Sequence, residues 1–152
     1  MARQEDLDLA YLGCAKSISG LSRARRKQVG AILVGKNGGI VAEGFNGTYS
    51  GCDNNCEIEI VENGITKLVT KPEVVHAESN AILKVARSTN SSEGSTMYCT
   101  LSCCVPCAIQ MIQAGIVRFV YIEDYKTDSG ESRQEGLVEL QKAGVRVIKI
   151  SI

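Results

Sequence analysis

The sequence predicts an α/β fold, a central five-stranded mixed sheet with helices on its faces. Three observations carry that expectation. From residue 95 onward the pattern runs strand, helix, strand, helix, strand, which is the order of a largely parallel sheet. Residues 117–122 form an apolar run of the kind found in strands buried on both faces. Further upstream, residues 29–34 and 40–45 flank Lys36-Asn37-Gly38-Gly39 and read as an antiparallel hairpin, which makes the sheet mixed.

The elements follow in order. Leu7, Ala10, Tyr11, Cys14 and Ile18 recur at helical spacing, with Asp6 and Asp8 near the start and Gly20 at the end, so residues 7–20 read as a helix. A basic stretch, Arg23, Arg25, Arg26 and Lys27, leads into the hairpin. Residues 46–57 are turn-forming. Residues 58–61 and 65–69 flank Asn63-Gly64 as a second small hairpin; its faces are mixed in polarity, which marks a surface insertion over about 50–75. A helix is expected over 76–88, a polar loop over 89–95 and a strand over 97–101. A helix over 105–114 ends at Gly115. After the apolar strand come a helix over 131–143, capped by Gly144, and a last strand over 145–150. No repeat, low-complexity tract or linker divides the chain, so residues 1–152 read as a single domain.

Composition narrows the function classes. A chain of 152 residues, 44% hydrophobic, buries a full core without staples. Lys plus Arg and Asp plus Glu are 17 each, so the basic excess of a general nucleic-acid binder is absent. Met1 to Asp6 is polar and acidic, unlike a signal peptide. No apolar run reaches the length of a membrane span, about 18 residues. Seven cysteines, an odd number, cannot close into disulfides alone. A reduced, cytoplasmic protein is expected, where cysteines more often bind metal or catalyse.

The chain has one histidine, in His76-Ala77-Glu78, and downstream stands Cys103-Cys104-Val105-Pro106-Cys107. Singly, each has a bland reading: a structural histidine, or an acid favoured at a helix N-terminus. Together they point to a metal. Cys104 and Cys107 are three apart where a helix begins, so both sulfurs share a face and sit in the positive potential of its N-terminus. Pro106 suits a first helical turn. His76, at the start of its own helix, can turn inward beside Glu78. Three protein ligands leave a fourth position for water, the arrangement of a catalytic zinc, which lowers the pKa of bound water to about 7. Glu78 is then the proton shuttle and not a ligand, the layout described for zinc deaminases as His-x-Glu followed by Pro-Cys-x-x-Cys.

At these residues the sequence resembles the cytidine deaminase superfamily and, within it, the phage-type dCMP (deoxycytidylate) deaminases. Arg26-Lys27-Gln28-Val29-Gly30-Ala31 looks like the family's Arg-x-x-Val-Gly-Ala segment, and Gly44-Phe45-Asn46-Gly47 like Gly-Tyr-Asn-Gly. His76-Ala77-Glu78-Ser79-Asn80-Ala81-Ile82 looks like its metal helix, and Gln113-Ala114-Gly115-Ile116 follows as in relatives. The chain departs from the pattern at Cys103, where the family has proline. Cys103 with Cys107 is sterically open as a ligand pair; the two-residue spacer favours Cys104 with Cys107. Some relatives carry a second, structural zinc. Here Ala24 stands where they have a cysteine, and Cys52 and Cys56 lack obvious partners. Cys14 and Cys99 read as buried structural thiols.

The resemblance implies a three-layer α/β/α cytidine-deaminase-like fold and zinc-dependent hydrolytic deamination of dCMP to dUMP, the precursor of dTMP. It implies that the backbone of Ala77 meets the base edge, that Asn46 meets the nucleoside, that Arg26 leads the basic stretch in holding a 5′-phosphate, and that Tyr125 lies near the substrate. It also implies a homo-oligomer, often a hexamer, activated by dCTP and inhibited by dTTP, with Mg2+ on a bound triphosphate. Gly44, Phe45, Gly47 and Arg87 are the positions linked to effectors or assembly. A tRNA-type base deaminase shares both metal motifs, but the neutral charge and the Gly-Phe-Asn-Gly segment argue against it. A non-catalytic deoxynucleotide-binding protein is the other rival, and the intact Glu78 argues against that.

Overall fold

The computed structural model describes residues 1–152. Helix α1 (Gln4–Ser19) precedes the hairpin of β1 (Gly30–Val34) and β2 (Ile40–Phe45). A two-residue strand β3 (Gly47–Thr48) follows, then a second hairpin of β4 (Glu57–Glu62) and β5 (Ile65–Thr70), and a short β6 (Val74–Val75). Next come α2 (Ala77–Ala86), β7 (Thr96–Leu101), α3 (Val105–Gln113), β8 (Arg118–Glu123), α4 (Glu135–Lys142) and β9 (Arg146–Lys149).

The central sheet has five strands in the order β2-β1-β7-β8-β9. β2, β1 and β7 are antiparallel neighbours, while β7, β8 and β9 run parallel. β4 and β5 pair only with each other, outside this sheet. Asn63 (φ 52°) and Gly64 (φ 76°) close their hairpin in the left-handed region, as a two-residue turn of this kind requires. The pairing of β3 with β6 has too few residues to leave a sequence signal.

Side chains alternate across the sheet and divide the core in two. Ala31, Leu33, Met97, Cys99, Phe119 and Tyr121 point to one face and pack under α2, α3 and α4. Ile32, Val34, Tyr98, Val120 and Ile122 point to the other, against Leu12 and Ala15 of α1. The result is the three-layer α/β/α arrangement. Gly44 sets how closely α2 lies on β2: a Cβ there would fall 2.2 Å from the Ala77 carbonyl oxygen.

Two expectations need correction. The buried positions of α1 are Asp8, Leu12 and Ala15, and Cys14 is exposed. The helix is rotated from the apolar reading because Asp8 is drawn inward. Arg118 and Tyr98 supply the partners that make its burial tolerable. The last helix begins at Glu135, not at 131. Residues ahead of it fold back on the preceding loop: Lys126 bridges Ser132, and the Arg133 amide donates to the Tyr125 carbonyl at 2.7 Å. No helix is long and apolar enough to cross a membrane.

Candidate active site

Two helix N-termini meet on the face of the sheet covered by α2, α3 and α4. His76 is the N-cap of α2, with extended backbone (φ −70°, ψ 156°), so its ring is free to turn away from the helix axis. Cys104 is the N-cap of α3 in the same conformation, and its sulfur accepts from the Cys107 amide at 3.5 Å. These caps explain how residues that are poor neighbours in mid-helix converge. His76 Nδ1 lies 3.3 Å from Cys107 Sγ and 3.4 Å from Cys104 Sγ. The three donor atoms lie within 4.8 Å of one another, and no other group of His, Cys, Asp or Glu converges in this way.

The donors fit zinc. Ligand atoms 2.0–2.3 Å from a tetrahedral zinc stand roughly 3.3–3.8 Å apart, and the set is borderline-soft nitrogen and sulfur. The protonation pattern agrees. Two thiols this close do not both ionise without a cation between them. The Cys107 thiol, then the His76 ring, pull the Cys104 thiol down to about 4. The Cys104 sulfur and burial push Cys107 up. His76 is held above its ordinary value, first by its bond to Cys104. Cys103, the alternative partner, is buried and is not in the converging set. Cys56 is buried and offers its thiol to the Asn54 carbonyl, and Cys52 joins no cluster of donors.

Glu78 stands in the first turn of α2 and is 5% exposed. Its Oε1 accepts from the Cys99 thiol at 3.6 Å. Burial pushes its carboxyl above the usual carboxylate range, which favours a group that takes up and gives back a proton.

A cavity of about 540 Å³ opens beside these groups, within the range of small-ligand pockets. His76, Ala77, Glu78 and Cys104 are in its lining. Arg26, Asn46 and Tyr125, expected to meet substrate, also line it. Asn46 is partly committed. Its Nδ2 donates to the Lys27 carbonyl and its Oδ1 accepts from the Val29 amide, both at 2.8 Å, which leaves one N–H and one lone pair. Arg26 donates to Thr70 Oγ1 at 3.2 Å and lies 3.7 Å from Asp128.

The lining holds further charged residues. Lys27 and Arg133 add positive charge to the lining, and Glu57 and Glu135 add negative charge. Lys27 lay within the basic stretch. Arg133 belongs to no motif; only the fold-back of its segment onto Tyr125 brings it in. Glu57 is one of several acids in its strand, and nothing in the sequence distinguishes it. The positions linked to effectors lie elsewhere. Gly44 and Phe45 serve α2 packing, the Phe45 carbonyl accepting from Asn80 at 2.8 Å. Gly47 pairs with Val75, and Arg87 is the exposed C-cap of α2.

Comparison with known proteins places this geometry. The profile of the cytidine and deoxycytidylate deaminase zinc-binding region matches residues 6–123. The chain is 33% identical over 178 aligned positions to a deoxycytidylate deaminase of enterobacteria phage T2, covering 95% of this chain and 89% of that one. It is 36% identical to the Homo sapiens deoxycytidylate deaminase over 82% of this chain and 68% of that one. The crystal structure of dCMP deaminase from the cyanophage S-TIM5, in complex with dCMP and dUMP, superposes with a TM-score of 0.83. The two are 38% identical, covering 98% of this chain and all of the other. With the matched region spanning the helix of His76 and the helix of Cys104 and Cys107, this chain belongs to the cytidine and deoxycytidylate deaminase family.

Proposed function

We propose that this chain is a single zinc-dependent deaminase domain, with the β4–β5 hairpin as an insertion, that hydrolyses dCMP to dUMP and ammonia. The observation that carries the reading is one cavity lined by His76 and Cys104 of the His-Cys-Cys cluster, by buried Glu78, and by Arg26, Lys27 and Arg133. The cluster and Glu78 suit attack of water on an amidine carbon. The three cations suit a phosphomonoester.

His76, Cys104 and Cys107 hold the zinc. A zinc ion held there would supply Lewis acidity, lowering the pKa of a water molecule to about 7. Glu78 takes one proton of the attacking water on its carboxylate and delivers it to N3 of the pyrimidine; it then takes the proton of the hydroxyl formed at C4 and passes it to the amino group, which leaves as ammonia as the C4 carbonyl forms. Its raised pKa matches that cycle. The Ala77 backbone meets the base edge, the free N–H and lone pair of Asn46 meet the sugar, and Tyr125 closes the cavity beside them. Arg26 exchanges its long contact with Asp128 for the 5′-phosphate.

A homo-oligomer, activation by dCTP and inhibition by dTTP with Mg2+ on the triphosphate, effector roles for Gly44, Phe45, Gly47 and Arg87, a cytoplasmic location and supply of the dTMP precursor complete the reading. Resemblance to the phage-type enzymes supports these parts.

A substrate panel tests it. Ammonia release is measured from dCMP, CMP, dCTP, deoxycytidine and cytosine, each with and without dCTP or dTTP. The expected result is a kcat/KM for dCMP at least about tenfold above every other substrate, the scale of one lost charged contact of about 1.4 kcal/mol or more. Preference for dCTP or for the free nucleoside overturns the substrate assignment.

A further inference from the structure

The loop that carries two of the cavity's cations, Arg26 and Lys27, has no regular secondary structure from Ser22 through Val29. It is nevertheless held tightly. Ser22 Oγ donates to the Asn46 carbonyl at 2.8 Å and accepts from the Ala24 amide at 3.2 Å. Gln28 donates to the Ser22 carbonyl at 2.8 Å. Asn46 takes the Lys27 carbonyl and the Val29 amide. That leaves the middle of the loop, the amides of Arg25 and Arg26. Glu57 Oε2 accepts from both, at 2.9 and 3.0 Å.

Glu57 is unusual for its place. It is the first residue of β4, in a hairpin whose other residues are mostly exposed, yet it is 1% exposed itself. A carboxylate is buried at this cost only if charged or strongly polar partners surround it. Its partners are the two amides on Oε2 and, as an ion pair without a hydrogen bond, the Arg25 guanidinium, whose Nε lies 3.4 Å from Oε1; Oε1 itself receives no hydrogen bond. Arg25 also donates to the Glu57 carbonyl and to Asn55 Oδ1. The carboxylate therefore fixes the backbone from which the Arg26 side chain springs. On the neighbouring strand, directly opposite Glu57, Thr70 holds the Arg26 guanidinium itself. Both contacts come from the β4–β5 segment, which contributes no strand to the central sheet.

We infer that Glu57 is a positioning residue for phosphate recognition, and that the β4–β5 hairpin serves to aim Arg26 into the cavity. Glu57 does not touch the substrate. It acts through the Arg25–Arg26 backbone. The inference rests on the dCMP reading above.

The test uses the zinc-loaded protein, with dUMP and deoxyuridine as ligands that undergo no turnover. Kd for each is measured by calorimetry, alongside kcat and KM for dCMP. Glu57→Ala is expected to weaken dUMP binding and raise KM for dCMP by about tenfold, while kcat stays within about twofold and the Kd for deoxyuridine does not move. Glu57→Gln, which keeps one acceptor oxygen for the amides, recovers part of the loss. In an Arg26→Ala background, Glu57→Gln adds no further loss of dUMP affinity. This cycle reads the coupling even if Glu57→Ala does not fold. Equal weakening of dUMP and deoxyuridine, a fall in kcat with KM unchanged, or full additivity with Arg26→Ala overturns the inference. If the wild-type chain fails to prefer dUMP to deoxyuridine, the substrate reading fails first. If it does prefer dUMP and Glu57→Gln alters nothing, only the inference fails.

Discussion

Each face of the central sheet buries a carboxyl group, and the two are treated in opposite ways. On the α1 face Asp8 receives two bonds from Arg118, at 2.9 and 3.2 Å, one from Tyr98 at 2.6 Å and one from Gln4 at 2.9 Å. Burial alone would raise its pKa, but Arg118, Tyr98 and Gln4 together hold it below 3.8. On the opposite face Glu78 has a thiol donor at 3.6 Å and no arginine or lysine partner, and burial leaves its pKa raised. A buried charge with all its partners supplies structure. A buried carboxyl kept short of partners is free to exchange a proton, and that is where the chemistry is placed.

Substitutions that exchange stability for activity test this contrast directly. The largest effect is expected for Glu78→Gln: kcat for dCMP falls by about 10²–10⁴, the usual contribution of a general acid–base group. The melting temperature at neutral pH holds or rises, because a disfavoured buried ionisation is removed. A clear drop in melting temperature would mean that Glu78 is structural in the way Asp8 is. Cys104→Ser comes next, with bound zinc by elemental analysis falling in parallel with activity. Retention of full zinc would point to Cys103 as the second sulfur ligand.

Asp8→Ala should do the reverse of Glu78→Gln. Leaving the half-buried Arg118 without its partner costs about 1–3 kcal/mol in unfolding free energy by urea titration. Below the melting range, kcat and KM stay within about twofold of wild type. A large loss of kcat would merge the two faces into one functional unit. The smallest effect is in pH dependence. The folded pKa of Asp8 is depressed, so its stabilisation is fully present above about 3.8 and is lost as pH falls through the folded value. Asp8→Asn flattens that acid limb. For Glu78 the sign is opposite: in zinc-free protein, stability declines as pH rises from about 4.5 toward the raised folded value. Urea midpoints across pH 3 to 6 separate the two slopes.

Most of the fold is legible in the sequence because the signals are local. The Asn-Gly turns, the apolar run of β8 and the glycine after α3 each act over a few residues. The errors have the opposite character. The phase of α1 depends on Arg118, 110 residues from Asp8, so no periodicity within the helix reveals that Asp8 faces inward and Cys14 outward. The start of α4 is set by the bridge of Ser132 to Lys126, which trades helical bonds for loop contacts.

The site divides along the same line. His76, Glu78, Cys104 and Cys107 can be read from the chain alone because metal chemistry demands particular residue types at helix starts, and spacing along a helix fixes which side chains share a face. Arg26, Asn46 and Tyr125 were legible only through resemblance. Arg133 and Glu57 were not legible at all. An arginine in a polar loop and one glutamate among several carry no local signal. Their roles arise from the fold-back that brings Arg133 beside Tyr125 and from the packing that buries Glu57 beneath the Arg25 and Arg26 amides. The sequence by itself determined the sheet, its helices and the atoms that would hold a metal, since those follow from short-range periodicity and ligand chemistry. Only the tertiary structure decided which carboxylates are buried and what neutralises them, because desolvation and its compensation depend on residues far apart in the chain.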